Sequence, residues 1–170
     1  MEQQDILGPV ENAVGYVLKQ SAVALRNAMD VALRPLHLTV PQYACLELLG
    51  QRPGLSNAEL ARGVFVTRQS MNLVLRGLEE RGLVTRSAVA PHGRELPAEL
   101  TPAGRDHLDA ASTAVLAIQT TMCTGLTPAR QQELLESLGV CIHNLSSASD
   151  SSGDAARPRT TALRVPSAAP

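Results

Sequence analysis

Apolar residues recur every third or fourth position through long stretches of the chain, and short runs of Gly, Pro, Ser and Thr separate those stretches. In residues 9–36, Val10, Val14, Val17, Leu18, Leu25, Met29, Ala32, Leu33 and Leu36 keep this spacing, which is the period of one helix face. Pro9 suits a first helical position, and Pro35 stops or kinks the helix near its end. So long a helix carries more apolar stripe than a small domain covers, so a partner helix is expected. Residues 39–52 form a second helix, with Thr39 as cap, Leu46 and Leu49 facing inward and Pro53-Gly54 as the stop. In Ser56-Asn57-Ala58-Glu59 a hydroxyl precedes a glutamate by three residues, the form of a capping box that satisfies two unpaired N–H groups. It opens a third helix through Arg62. Thr67 caps a fourth that runs to about Arg81, where Gly82 supplies a left-handed stop.

The period then changes. Residues 83–86 read as a short strand, and Leu96, Ala98 and Leu100 alternate with Pro97 and Glu99 as a returning one. Pro97 lacks a ladder donor, which predicts an edge strand. Thr101-Pro102 and Thr127-Pro128 open two amphipathic helices over 102–123 and 128–145, separated at Gly125. The order is four helices, a hairpin and two helices, a mostly α fold with a small β-hairpin wing.

The third and fourth helices with their turn have the form of a helix-turn-helix, and the hairpin makes it a winged one. At about 100° per residue the fourth helix has two opposed faces. Met71, Val74, Leu75 and Leu78 share one and anchor it. Arg68, Gln69, Asn72 and Arg76 share the other, which a DNA major groove admits. Arginine pairs with guanine O6 and N7, and Asn or Gln with adenine N6 and N7. Thr67 and Ser70 can donate to phosphate oxygens at the positive end of the helix. Residues 62–105 hold seven arginines against four glutamates, whereas the whole chain has a formal charge of −1. The positive charge that phosphate binding requires falls where the helix-turn-helix is.

The composition narrows the alternatives. The chain has 170 residues, 44% hydrophobic and only 2% aromatic, which leaves no stacking platform for single-stranded nucleic acid. Cys45, Cys123 and Cys141 are far apart, which argues against a disulfide scaffold and for a reducing compartment. Cys45 and Cys141 sit among apolar neighbours and are expected to be buried. No apolar run reaches the length of a membrane span, and the acidic, polar Met1-Glu2-Gln3-Gln4-Asp5 is unlike a signal peptide. A cytoplasmic location is expected. There is no phosphate-cradling glycine loop, no nucleophile elbow and no zinc-ligand spacing. The histidines at 37, 92, 107 and 143 lack partners at catalytic spacing. Neither an enzyme, a metal site nor a cofactor is expected.

In order along the chain, Leu38-Thr39-Val40-Pro41-Gln42-Tyr43, Pro53-Gly54-Leu55-Ser56-Asn57-Ala58-Glu59-Leu60-Ala61, Val66-Thr67-Arg68-Gln69-Ser70-Met71-Asn72, Leu78-Glu79-Glu80-Arg81-Gly82-Leu83-Val84, Gly93-Arg94 and Leu100-Thr101-Pro102-Ala103-Gly104 resemble the MarR family of winged helix-turn-helix regulators. The resemblance spans residues 10–145. It implies a homodimer whose first, fifth and sixth helices intertwine, and a transcriptional repressor that binds double-stranded DNA; the two-fold symmetry of such a dimer in turn calls for a near-palindromic operator. Arg94 matches the family's wing-tip arginine, and His92 stands where an acidic residue is common. Phe65 is larger than many relatives' residue in the turn and is expected to pack. The expected division is a dimerisation helix in 1–36, the winged helix-turn-helix in 37–101, dimerisation helices in 102–146 and a tail in 147–170 whose Ser, Ala, Pro and Arg composition predicts disorder. Expected DNA contacts are Ser56, Thr67, Arg68, Gln69, Ser70, Asn72, Arg76 and Arg94. Small aromatic or phenolic acids release many relatives from DNA, and His37 and Tyr43 are the expected ligand contacts. A protein-binding winged helix and a cysteine-based redox regulator are the alternatives.

Overall fold

Thr39, Ser56 and Thr67 each start a helix by the same device, a hydroxyl that accepts from the backbone N–H three residues on: Gln42 at 3.3 Å, Glu59 at 3.4 Å and Ser70 at 3.1 Å. The structure is a computed structural model that describes residues 9–86 and 97–154. Its elements are α1 (Val14–Leu33), α2 (Val40–Gln51), α3 (Asn57–Val64), α4 (Arg68–Glu80), β1 (Val84–Arg86), β2 (Ala98–Leu100), α5 (Pro102–Met122) and α6 (Pro128–Asp154). The mostly helical fold with its antiparallel strand pair is the one the sequence predicts.

Three boundaries differ. The first helix is preceded by a separate 3-10 turn at Val10–Asn12, because Ala13 is extended and no side chain caps either start. Pro35 tightens its far end into a second 3-10 turn, Arg34–Leu36. The last helix reaches Asp154, past residue 147 where a disordered tail was expected to begin. Residues 155–170 lie outside the described residues.

Three helical segments end in the same hydrogen-bonded turn, in which a left-handed residue lets two consecutive N–H groups reach back to the last carbonyls. After α4 the left-handed residue is Gly82, with φ 68°. After α3 it is Phe65 (φ 59°), and after the Pro35 turn it is His37 (φ 53°). In each the following residue donates to a carbonyl five positions back: Leu83 to Leu78, Val66 to Ala61 and Leu38 to Leu33. A side chain costs roughly 1–2 kcal/mol in this conformation, so the backbone hydrogen bonds that close each turn must hold Phe65 and His37 there.

The chain divides after Met122 into two compact units. In the first, α2 packs against α1, α3, α4 and α5, and α3 packs against α4. Leu33, Cys45, Leu46, Leu49, Leu60, Met71, Leu75 and Leu78 are fully buried between them. The strands pair Val84 with Leu100 and Arg86 with Ala98. Pro97 predicts a bare edge for β2, but Ala98 also bridges Leu55 on its other side, donating to it at 3.1 Å and accepting from Gly54 at 3.0 Å. The ladder donor that Pro97 lacks is one residue outside this bridge. In the second unit, Thr127 accepts from the Arg130 N–H at 3.3 Å to start α6.

Candidate nucleic-acid interface

Helix α4 is anchored from one side only. Met71, Leu75 and Leu78 are fully buried and Val74 is half-buried. Arg68, Gln69, Asn72 and Arg76 are exposed, as the sequence predicts. Their side chains form neither hydrogen bonds nor ion pairs among the described residues. Burial on one side and unsatisfied donors on the other make this a surface fitted for an external polar partner.

The start of the helix is organised by hydroxyls. Thr67 and Ser70 lie 2.9 Å apart, oxygen to oxygen. That contact uses one O–H, so one hydroxyl donor of the pair remains for an outside acceptor. Asn57, in the first turn of α3, donates to the Arg68 carbonyl at 3.3 Å and ties the two helix starts together. Ser56, expected among the DNA contacts, has a different place. It is 6% exposed, and its hydroxyl donates to Glu59 Oε2 at 2.7 Å while its backbone N–H donates to the same oxygen at 2.8 Å. Its O–H is committed to the cap. These two bonds hold the Glu59 carboxyl below the usual carboxylate range.

The local positive charge is not all available. Arg86 donates to both carboxylate oxygens of Glu79, at 2.7 and 2.5 Å. This bidentate pair raises the guanidinium's affinity for its proton and fastens β1 to α4. Arg81 donates to the backbone carbonyls of His37 at 2.7 Å and Leu36 at 3.3 Å. It thereby ties the end of α4 to the α1–α2 linker. No spacing rule marks Arg81 for this, because its acceptors are 44 and 45 residues away. Arg68 and Arg76 have no such partner among the described residues. Arg94 and His92 lie outside the described residues.

His37 and Tyr43 are placed differently from each other. His37 is exposed on the left-handed turn. Tyr43 is 9% exposed within the core, and its hydroxyl donates to Glu47 Oε2 at 3.2 Å. Ser112 of α5 donates to the same oxygen at 3.2 Å, and Gln51 to Oε1 at 2.8 Å. Burial pushes the Tyr43 phenol above its ordinary value. Cys45 is buried as expected, which pushes its thiol up to about 12, whereas Cys141 is half-buried.

Two exposed apolar residues accompany these polar groups. Phe65, expected to pack, is 93% exposed, because its left-handed turn directs it away from the core. Leu73 is 61% exposed on α4. Leu73 carries no polar group to mark it in the sequence, yet Gln69, Leu73 and Arg76 are spaced four and three apart, the signature of a shared face.

Among the described residues no helix is long and apolar enough to cross a membrane, and no cluster of His, Cys, Asp or Glu could hold a metal ion. A groove of about 550 Å³ runs between α1 and α5, lined mainly by small apolar residues such as Ala24, Ala28, Ala114 and Ala117.

Comparison with known proteins gives a consistent picture. The MarR family profile matches residues 37–95. The HTH-type transcriptional repressor Rv2887 of Mycobacterium tuberculosis is 46% identical over 129 residues, which cover 74% of this chain and 93% of that protein. The crystal structure of Rv2887 in complex with salicylic acid superposes with a TM-score of 0.62 at 44% identity, covering 75% of this chain and 95% of that one. The structure of Rv2887 in complex with DNA gives a TM-score of 0.62 at 41% identity, covering 75% and 96%.

Proposed function

The chain belongs to the MarR family, and from that premise we propose that it is a homodimeric, sequence-specific transcriptional repressor whose hold on DNA is modulated by a small aromatic acid. One observation carries the DNA reading. A helix clamped to the core through Met71, Leu75 and Leu78 offers two exposed arginines, unpaired among the described residues, beside Gln69 and Asn72. Such a face supplies donors for base edges, and the remaining Thr67–Ser70 hydroxyl suits a phosphate. The crystal complex of Rv2887 with DNA supports the reading by similarity.

The groove between α1 and α5, together with exposed Val14, Val17 and Leu18 on α1 and Leu135, Ile142 and Leu145 on α6, supports a dimer through the terminal helices. Apolar surface of this extent marks an interface. A two-fold pair sets its recognition helices about 34–36 Å apart, one turn of DNA, and so calls for a near-palindromic site.

The ligand reading draws on the salicylic acid complex of Rv2887. A ligand acts only by binding one arrangement more tightly than the other. The Arg81 bonds to the His37 and Leu36 carbonyls give a route, since a shift of that linker pulls on the end of α4. His37 is accessible for a carboxylate, whereas the Tyr43 hydroxyl must leave Glu47 before it can serve.

The test starts with DNA fragments selected by the full-length protein from a random pool. Affinity falls steeply with salt if phosphates are neutralised, and a flat dependence overturns the reading. Arg68→Ala weakens binding by about 1–3 kcal/mol at the base pairs it reads. Salicylate releases the wild-type complex, and His37→Ala blunts that release without weakening DNA binding. Release unchanged in His37→Ala removes that residue from the ligand site.

A further inference from the structure

We propose, resting on the DNA-binding reading above, that Leu73 is a specificity-determining residue that recognises thymine through its C5 methyl group. Met71, Leu75 and Leu78 define the buried side of α4. At about 100° per residue, Leu73 lies within roughly 15° of the direction opposite them. It is therefore central on the exposed face, one turn after Gln69 and one turn before Arg76. It is 61% exposed, a large aliphatic side chain where a polar residue would be better solvated.

The surroundings select its partner. Arg76, one turn on from Leu73, and Arg68, at the start of the helix, are exposed and form no ion pair among the described residues, and on the DNA-binding reading the occupant of this face is polyanionic. Of the groups a polyanionic double helix displays in its major groove, the thymine methyl is the apolar one. Leu73 placed against it removes water from both, and distinguishes thymine from cytosine, which carries only hydrogen at C5. The polar neighbours fix the register in which the methyl arrives.

Deoxyuridine tests this, because it keeps the pairing edge of thymine and lacks only the methyl. In fragments selected by the wild-type protein, thymines are replaced by deoxyuridine one symmetry-related pair at a time, and affinity is read by fluorescence anisotropy. One thymine position is expected to lose affinity roughly four-fold per half-site, the equivalent of one buried methyl group. In Leu73→Ala the thymine and deoxyuridine fragments bind alike, and Leu73→Met retains most of the difference. Phe65→Ala retains it fully. A methyl preference that persists in Leu73→Ala, that disappears in Phe65→Ala instead, or that no thymine shows in the wild type overturns the assignment. Salt-steep binding without the preference leaves the DNA reading intact and removes Leu73 alone. Failure of the wild type to retain any fragment overturns both.

Discussion

At Gly104 the backbone approach leaves no room for a side chain. A Cβ there would overlap the Leu83 carbonyl, which also accepts from the Thr101 N–H at 3.1 Å, while the Thr101 hydroxyl donates to the Gly82 carbonyl at 2.7 Å. The first turn of α5 is thus pinned to the start of β1. Gly104→Ala is expected to cost about 1–3 kcal/mol through overpacking, seen as a lowered thermal midpoint. Cys45 makes a second residue-scale case. Its thiol, pushed up to about 12 by burial, stays protonated and unreactive in the native protein. Iodoacetamide at pH 8 should leave Cys45 unmodified until the chain is unfolded in urea, as peptide mass spectrometry would show. Because its native value is raised above the ordinary 9.0, stability falls as the pH rises from about 9 toward 12, where the unfolded chain ionises and the native one does not. Both residues were visible in the sequence, Gly104 within a motif and Cys45 within an apolar run. Their burial follows from packing between distant elements. Phe65 is the opposite case: the turn's left-handed residue is usually Gly, and an apolar residue there reads as core.

At the scale of elements, local chemistry sets most boundaries. The Ser56–Glu59 box starts α3, and Thr39 forms a second reciprocal box with Gln42, whose side chain accepts from the Thr39 N–H at 3.0 Å. Ser56→Ala is expected to lower stability by about 1 kcal/mol at neutral pH, measured by urea unfolding. The Glu59 carboxyl is held below its ordinary range by Ser56. Its contribution is therefore complete above the unfolded value and is lost as the pH falls through the lower native value. The gap between wild type and Ser56→Ala should accordingly narrow on acidification. A constant gap would show that the carboxylate takes no part in the cap. The caps at Thr39, Ser56 and Thr67 are legible because each involves residues three apart. The end of α6 is not, because Ser and Ala continue a helix as readily as they leave it.

For the whole molecule the question is what covers the terminal helices. Ala28 lies in the groove between α1 and α5 and is exposed, so the folded chain itself tolerates a larger residue there. If that groove is the dimer interface, Ala28→Arg places a charge in it. The variant is expected to be a folded monomer with strongly reduced DNA affinity, by light scattering coupled to size-exclusion chromatography. A dimer that persists would move the interface elsewhere.

Short-range rules applied to the sequence determined the order of elements, the caps, the Gly82 stop and the polar face of α4, since hydroxyls, prolines, glycines and a 3.6-residue period act within a few positions. Tertiary structure alone decided which arginines on that surface remain available. Glu79 claims Arg86 and the distant linker carbonyls claim Arg81, whereas Arg68 and Arg76 stay unpaired among the described residues. It also gave β2 a second neighbour at Leu55. The physical reason is that these outcomes depend on groups brought together by folding, and a charge or an apolar side chain has no fixed role until its surroundings exist.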